Sequence, residues 1–235
     1  MDLSAFQKTE QVRRDFVNNV SHELRTPVSV ILMLAESIAN DDLESDEIQD
    51  FVERITLQTG RLRILTDELL DLSRIESGVT TVHPEMLKLT EIFSSVLENL
   101  RPILETENIE VFFDANSTVG VEADRAMLTL IVSNLIDNAL SFSSRGSSIQ
   151  IEVQKSLSVI SLSVRDHGPG FPEEDKDRIF ERFYKSEQSR ATDGAGLGLA
   201  IVKHAVRTHG GTVQAENALD GGAIFTIRLP HRYNK

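Results

Sequence analysis

A histidine with an acidic and a hydroxyl neighbour stands near the start of the chain, in the run Ser-His-Glu-Leu-Arg-Thr-Pro that begins at Ser21. His22 and Thr26 are four residues apart, so their side chains share a face if the run is helical. A neutral imidazole is a nucleophile when an acceptor holds one ring nitrogen, and Glu23 could be that acceptor or a general base. Thr26 could hold a water or a phosphoryl oxygen. Taken alone, the cluster also fits a histidine on an ordinary helix surface.

Two glycine-rich segments could cradle a phosphate. The run Asp166–Gly170 directly follows a predicted strand, and Gly194–Leu199 opens a predicted helix, whose N-terminus offers free N–H groups. Asp166 could accept a hydrogen bond from an exocyclic amine such as that of adenine, and the polar stretch Lys185–Asp193 is typical of a lid. The chain has no P-loop, and the Gly194 segment lacks the Rossmann spacing. Ordinary turns remain the alternative for either glycine pair.

A pair of asparagines lies in the predicted helix between these segments and the N-terminal histidine. Asn134 and Asn138 are four residues apart and therefore share a helix face. Their amide oxygens are hard, neutral ligands that suit Mg²⁺, which is usually held partly through the phosphates of its substrate. The alternative is a buried or capping role for each amide.

Composition excludes several classes of function. The chain of 235 residues carries 24 Lys and Arg against 37 Asp and Glu, a formal net charge of −13 that argues against nucleic acid as a partner. It contains no cysteine, which excludes disulfides, thiolate metal sites and cysteine nucleophiles. No run of 18 apolar residues occurs, so we expect no membrane contact within this chain.

The N-terminal third must position His22 on a helical hairpin. Apolar residues recur at spacings near three and four on each side of the polar stretch 40–45, and Ser45 is a plausible N-cap for the second helix. Pro27 crowds the carbonyl of Glu23 and predicts a kink beside His22. Because two such helices bury their seams poorly alone, we expect two copies to form a four-helix bundle, with docking on the chain's own second domain as the alternative. The seams are Val17, Val20, Leu24, Val28, Ile31, Ala35 and Ile38, then Ile48, Phe51, Ile55, Leu62, Leu65, Leu69, Leu72 and Ile75.

The remaining sequence predicts an α+β domain that would carry the glycines and asparagines. Residues 79–87 read as a linker by composition, with Pro84 inside it. Helices and alternating strands then follow without a βαβ rhythm, which favours a layered α+β fold. The predicted helices are 89–105, 124–142 and 199–208, and the predicted strands are 109–113, 149–153, 159–164, 212–215 and 223–229.

Five segments in this order resemble the motifs of the two-component sensor histidine kinases, over nearly the whole chain. Residues 16–27 resemble the H box, 134–139 the N box, 166–170 the G1 box, 179–184 the F box and 194–199 the G2 box. The resemblance implies a dimerisation and histidine-phosphotransfer domain at 1–78, a linker at 79–87 and a catalytic domain at 88–235. The phosphotransfer domain would be a helical hairpin that forms a dimeric four-helix bundle. The catalytic domain would be a two-layer α+β sandwich of the Bergerat (GHKL) ATP-binding type.

The resemblance also implies a role for each matching residue. His22 would be the phosphoacceptor, Glu23 the adjacent acid/base, and Thr26 would position water for dephosphorylation of a regulator. Asn138 would bind Mg²⁺, and Asp166 would read the adenine amino group. The other residues implied to bind nucleotide are Asn134, Phe142, Gly168, Gly170, Arg182, Lys185, Gly194, Gly196, Leu197 and Gly198.

The function implied is ATP-dependent autophosphorylation of His22, transfer to an aspartate of a response-regulator receiver domain, and phosphatase activity on that regulator. Many family members have Lys-Tyr after the N box, whereas this chain has Ser141 and Phe142. Phe142 can still stack on a purine, but Ser141 supplies no cation, which predicts weaker nucleotide binding or compensation by Arg182 and Lys185. The alternative is a nucleotide-binding dimeric scaffold, or a module dominated by phosphatase activity, without kinase turnover. We also expect a cytoplasmic core of a larger sensor, because the first 15 residues resemble the junction after a PAS-type domain.

Overall fold

The computed structural model describes residues 3–40, 43–76, 82–114, 119–186 and 194–233. The chain divides into two compact units, Met1–Leu70 and Asp71–Lys235. The first is helical and the second is a layered α/β sandwich, which confirms the predicted fold class.

Two long helices make up the first unit, and the last residues of the second helix, from Asp71 onward, belong to the second unit. Helix α1 spans Leu3–Asn40, and α2 spans Ser45–Glu76. Helix α1 thus begins well before Val17, the first residue of the predicted seam. The predicted cap at Ser45 is wrong by one residue, because Ser45 is already helical and the backbone N–H of Glu44 donates to the Glu47 carboxylate at 3.0 Å.

The predicted seams are only partly covered within one chain. Leu34 on α1 and Leu65 on α2 are 5% and 6% exposed, and Pro27 is buried within a continuous α1. Seam residues Val17 and Val28, in contrast, keep 54% and 40% of their surface exposed. Large apolar side chains that remain exposed on the two helices are Val17, Val28, Leu32, Met33, Ile48, Val52, Leu57, Ile64 and Leu70.

Over the residues that the structure describes, the second unit contains the end of α2, three further α-helices and two sheets. A five-stranded sheet has the order β2-β4-β5-β7-β6, in which β2 and β4 are parallel and the other neighbours antiparallel. Strands β1 and β3 form a separate antiparallel pair. The strands are β1 Pro84–Lys88, β2 Glu110–Asp114, β3 Gly120–Asp124, β4 Ser148–Lys155, β5 Val159–Arg165, β6 Thr212–Asn217 and β7 Ala223–Pro230. The helices are α3 Leu89–Glu107, α4 Arg125–Phe142 and α5 Gly198–Thr208, with single 3₁₀ turns at Glu173–Asp175 and Arg178–Phe180.

The core of this unit lies between the helices and one face of the five-stranded sheet. Helix α4 packs between α3 and α5 and contacts β4 and β5. Helix α4 is apolar on most of its surface because α3 and α5 cover its two sides and the five-stranded sheet covers a third. Side chains with no exposed surface include Ile131, Val132, Leu135 and Ile136 of α4, Ile201 and Val202 of α5, and Ile149, Ile151 and Val164 of the sheet.

Two predictions about the start of this unit differ from the structure. Residues 84–87, predicted as linker, belong to β1, whose partner β3 was also missed. The predicted helix start at Asp124 is its cap instead, since the Asp124 carboxylate accepts from the backbone N–H of Met127 at 3.1 Å. Residues 79–81 of the predicted linker fall in the range 77–81, which lies outside the described residues.

None of the helices in the described ranges is both long enough and apolar enough to cross a membrane.

Candidate functional site

His22 lies on α1 with its side chain exposed, which leaves the imidazole open to a reacting partner. The Thr26 hydroxyl, one turn later, donates to the backbone carbonyl of His22 at 3.2 Å, as expected for two residues on one face. Glu23 beside it is half-buried. Pro27 removes the N–H that the Glu23 carbonyl would otherwise accept from, so the helix ladder is interrupted next to the histidine.

The two asparagines lie on α4, where the helix faces the beginning of α5. The Nδ2 group of Asn134 donates to the Leu130 carbonyl at 2.8 Å, which fixes the orientation of the amide. A Cβ added to Gly198 would lie 2.6 Å from Asn134 Oδ1, so the amide oxygen points at the first residue of α5. Only glycine permits this approach. Asn138, one turn further along α4, is half-buried.

The glycine-rich segment before α5 thus reaches the asparagines. Leu197 is fully buried and anchors the segment, and α5 starts at Gly198. The first N–H groups of a helix have no partner within the helix and carry its positive dipole end. An anion beside Asn134 would therefore find backbone donors at this point.

Asp166 follows β5 directly and is 2% exposed. Its Oδ1 accepts from the backbone N–H groups of Gly168 at 2.8 Å and Ala223 at 3.0 Å. Burial raises the pKa of Asp166 above its usual value, while these two hydrogen bonds act in the opposite direction. Both bonds go to one oxygen, so the second carboxylate oxygen is the one available to a ligand's amine.

The first glycine segment lies against the end of α4. A Cβ at Gly168 would be 2.4 Å from the carbonyl oxygen of Phe142, so this turn touches the last residue of α4. Phe142 itself is half-buried. The structure therefore brings Asp166, Gly168 and Phe142 together on one side of α4. Gly170, Gly194 and Gly196 all have positive φ values of 72°, 136° and 73°.

The two candidate phosphate cations, Arg182 and Lys185, stay a prediction. Arg182 forms an ion pair with Glu76, the last residue of α2. Lys185 is half-buried. Most of the predicted lid, residues 187–193, lies outside the described residues. Its two flanks are joined, since the Phe183 N–H donates to the Gly196 carbonyl at 2.9 Å.

Ser141 stands where the resemblance would place a lysine, and its side chain is hydrogen-bonded within α4. The Ser141 hydroxyl donates to the backbone carbonyl of Asp137 at 2.8 Å and is thus used within its own helix. Desolvation raises the pKa of the neighbouring Asp137 carboxyl to about 6, which leaves it ionised at pH 7.

Sequence reasoning missed three residues that shape the Asp166 pocket. Ala223 supplies a hydrogen bond to Asp166, and a Cβ at Gly222 would lie 2.0 Å from the Asp166 carbonyl oxygen. Asn217 fixes the following turn, donating to the Phe171 carbonyl at 2.7 Å and accepting from its N–H at 2.9 Å. In the sequence, the Gly221-Gly222 pair was the available signal for these contacts. The pair is also typical of an ordinary hairpin turn, and its closeness to Asp166 depends on the pairing of β7 with β5.

The donors present fit a nucleotide bound with Mg²⁺ better than a metal held by protein alone. Within the described ranges, no three His, Asp or Glu side chains are grouped to hold a metal ion. Asn138 offers one amide oxygen, and Mg²⁺ commonly takes one or two protein ligands with the rest from water and phosphate.

Two family models match the chain. "His Kinase A (phospho-acceptor) domain" matches residues 12–78, and "Histidine kinase-, DNA gyrase B-, and HSP90-like ATPase" matches residues 123–233. The first range contains His22, and the second contains both asparagines, Asp166 and all the candidate glycines.

Individual relatives agree with these matches. The chain is 36% identical over 231 residues to the sensor-like histidine kinase SenX3 of Mycobacterium tuberculosis, covering 97% of this chain and 56% of SenX3. The solved mycobacterial sensor histidine kinase MprB is 32% identical with a TM-score of 0.59, covering 64% of this chain and 100% of the MprB chain. The Acinetobacter baumannii histidine kinase AdeS is 27% identical with a TM-score of 0.75, covering 89% of this chain and 98% of that one. The chain thus spans only about half the length of a curated relative such as SenX3.

Proposed function

The chain belongs to the two-component sensor histidine kinase family, and we propose that it uses ATP to phosphorylate His22. The observation that carries the proposal is that α4 contacts both glycine-rich segments, with Phe142 against Gly168 of the Asp166 turn and Asn134 against Gly198 at the start of α5. This arrangement has a place for a base, a place for phosphates and oxygen ligands between them.

The pocket residues divide between the two ends of the nucleotide. The free oxygen of Asp166 would accept a hydrogen bond from the adenine amino group, and Phe142 would stack on the base. Gly168 and Gly170 shape this end. The phosphates would bind the backbone N–H groups of Gly194–Gly198 and the α5 N-terminus, with Leu197 as the buried anchor. Asn134, held by its bond to Leu130, orients this glycine segment.

Mg²⁺ fits beside Asn138, whose amide oxygen would be its protein ligand. When bound, the ion neutralises charge on the phosphates and favours departure of ADP.

In the chemical step, one imidazole nitrogen of His22 attacks the γ-phosphorus. The N–P bond forms as the bond from phosphorus to the β–γ bridging oxygen breaks, and ADP leaves. Glu23 would accept the proton from the other ring nitrogen, or hold it, so that the attacking nitrogen stays unprotonated. The exposure of His22 leaves room for the γ-phosphate to approach.

The resulting phosphohistidine would pass its phosphoryl group to an aspartate of a response-regulator receiver domain. Thr26, on the same face as His22, would position the water that removes the phosphoryl group from the regulator. A second copy of the chain would cover the exposed apolar positions of α1 and α2. We place this activity in the cytoplasm, where ATP is available.

The nucleotide site can be tested without turnover. Asn138→Ala should weaken binding of Mg²⁺ with a fluorescent ATP analogue more than about tenfold, or ~1.4 kcal/mol, because the ion loses its protein ligand. Asn99→Ala is a matched control on the exposed surface of α3 and should bind normally. Equal affinity in the Asn138 variant and the wild type would contradict the assigned role.

A second candidate function rests on Ser141. Because its hydroxyl is used within α4 and supplies no cation, the chain could bind nucleotide as a dimeric scaffold or act mainly as a phosphatase. Tight ATP binding without phosphohistidine would favour this alternative over kinase turnover.

A further inference from the structure

Three polar side chains meet where α2 ends, within the second unit. The Glu76 carboxylate pairs with the Arg182 guanidinium, and the same oxygen, Oε1, lies 3.2 Å from Nε2 of His204 on α5. The three side chains are 24%, 26% and 33% exposed, so the cluster is half-buried. Leu72 and Ile75, 1% and 9% exposed, fix this end of α2 in the unit.

This inference rests on the proposed function. If that function holds, both the nucleotide phosphates and the Glu76 carboxylate attract Arg182. It is a candidate cation for the nucleotide phosphates, yet the structure pairs it with a carboxylate. A guanidinium paired with Glu76 has part of its charge compensated and one of its nitrogens engaged. An incoming phosphate must compete with Glu76 for it.

We propose that Glu76 is a positioning residue that withholds Arg182 from the nucleotide, and that a proton taken up by His204 replaces Arg182 when the phosphates bind it. Glu76 then exchanges one cationic partner for another. The proton comes from solvent, and no covalent bond changes. The carboxylate never becomes a half-buried charge without a counter-ion, which would be costly.

The charges around His204 give the direction of this exchange. Burial chiefly lowers the pKa of His204, and Arg182, Arg207 and Lys203 lower it further, whereas Glu76 raises it. When Arg182 moves away, one of the positive charges that lower the pKa of His204 is lost, while the Glu76 carboxylate that raises this pKa remains. The pKa of His204 must then rise, so acid favours the state in which Arg182 is released.

The position of Glu76 makes the cluster sensitive to α2. The helix runs without interruption from Ser45 to Glu76, so a rotation or shift of its axis displaces the carboxylate that holds Arg182. Lys203 and Phe180 lie next to the cluster, with the ammonium 5.8 Å from the ring centroid, and tie α5 to the turn that precedes Arg182. Movement of α2 would therefore change the nucleotide affinity of the second unit.

The titration of His204 in the whole chain tests the linkage directly. Histidine ring signals should show the His204 pKa rising in Arg182→Gln and falling in Glu76→Gln, both without nucleotide. In the wild type, adding the non-hydrolysable ATP analogue AMPPNP with Mg²⁺ should raise it. An unchanged His204 pKa in Arg182→Gln, or on binding of the analogue, would overturn the proposal.

Kinetics of autophosphorylation test the withholding role. Glu76→Gln should lower the KM for ATP by up to about fivefold at pH 8, the range expected for loss of one partly exposed ion pair. The difference should shrink at pH 6, and His204→Asn should lose this pH dependence. Glu85→Gln removes a carboxylate of the same type from an exposed pair with Arg125 and should leave the KM unchanged.

The two proposals fail in different ways. Wild-type labelling with normal analogue binding, combined with an unmoved His204 pKa and an unchanged KM in Glu76→Gln, would reject the role of Glu76 while the kinase assignment stands. Absence of any nucleotide binding by the wild type would reject both.

Discussion

At the scale of single residues, the chemistry of the candidate site depends on contacts that residue type alone does not reveal. Asp166 is typical of its motif, and its position after a strand could be predicted. Its orientation is set by Ala223 and Gly222, which are more than fifty residues away and adjoin it only because β7 pairs with β5. Local patterns identify the candidate ligand-binding residues, but the residues that orient them are brought close by strand pairing.

The ion pair of Arg182 likewise depends on a residue that is distant in the sequence. The place of Arg182 within the run 179–184, which resembles the F box, suggested a phosphate-binding cation, and the structure gives it a carboxylate partner from the end of α2. Sequence distance hides that partner, because nothing in the composition of α2 distinguishes Glu76 from the other acidic residues of that helix.

Gly198 gives a residue-scale prediction. Gly198→Ala should destabilise the second unit by about 1–3 kcal/mol, because the new methyl group would lie 2.6 Å from Asn134 Oδ1 and must displace it. Nucleotide binding should weaken as well. Thermal unfolding followed by circular dichroism, with analogue binding measured in parallel, checks both effects.

Gly60 is the matched control for that substitution. It lies inside α2, and a Cβ there would meet nothing within 4 Å, so Gly60→Ala should stabilise by about 0.5–1 kcal/mol. Equal effects of the two alanine substitutions would show that the Asn134 contact is not restrictive.

At the scale of elements, the long helices and the central strands followed from their apolar periodicity, but the β1–β3 pair did not. Strand β1 has a single buried residue, Leu87, and its sequence contains a proline, so it reads as linker. Its partner lies beyond α3 and β2, and pairing across that distance leaves no local signature. The elements that were predicted correctly bury enough side chains to impose a period on the sequence.

His209 joins two elements and gives the element-scale prediction. Its Nδ1 lies 2.8 Å from the Ala205 carbonyl, and its Nε2 accepts from the Asp124 N–H at 3.0 Å, a pairing that requires the neutral ring with the proton on Nδ1. His209→Ala should lower the free energy of unfolding by about 1–3 kcal/mol, because the Asp124 N–H at the cap of α4 loses its acceptor. Denaturant unfolding measures the loss.

The exposed His83 provides the control. Its backbone N–H donates to the Asp124 carboxylate at 3.1 Å, and His83→Ala retains that group. A similar loss of stability in both variants would refute the role assigned to the His209 ring.

At the scale of the whole molecule, the exposed apolar residues of α1 and α2 predict self-association. Val28 continues the α1 seam yet is 40% exposed, and Val52 on α2 is 49% exposed. Val28→Glu combined with Val52→Glu should convert a dimer to a monomer, since each buried valine contributes about 1.5–3 kcal/mol and counts twice in a symmetric dimer. Light scattering after size exclusion gives the mass.

Leu157 lies in the β4–β5 turn, is fully exposed and controls for the added charge. Leu157→Glu should leave the mass of the assembly unchanged. A wild-type chain that is monomeric at high concentration would contradict the bundle.

The central claim is that this chain transfers the γ-phosphoryl group of ATP to His22. The most direct measurement is incubation of the wild type and His22→Gln with γ-labelled ATP and Mg²⁺, followed by acid and base treatment of the product. The account predicts a label in the wild type that is lost in acid, stable in base and absent from the variant. A label that persists in His22→Gln, or no label while ATP remains bound, would contradict it.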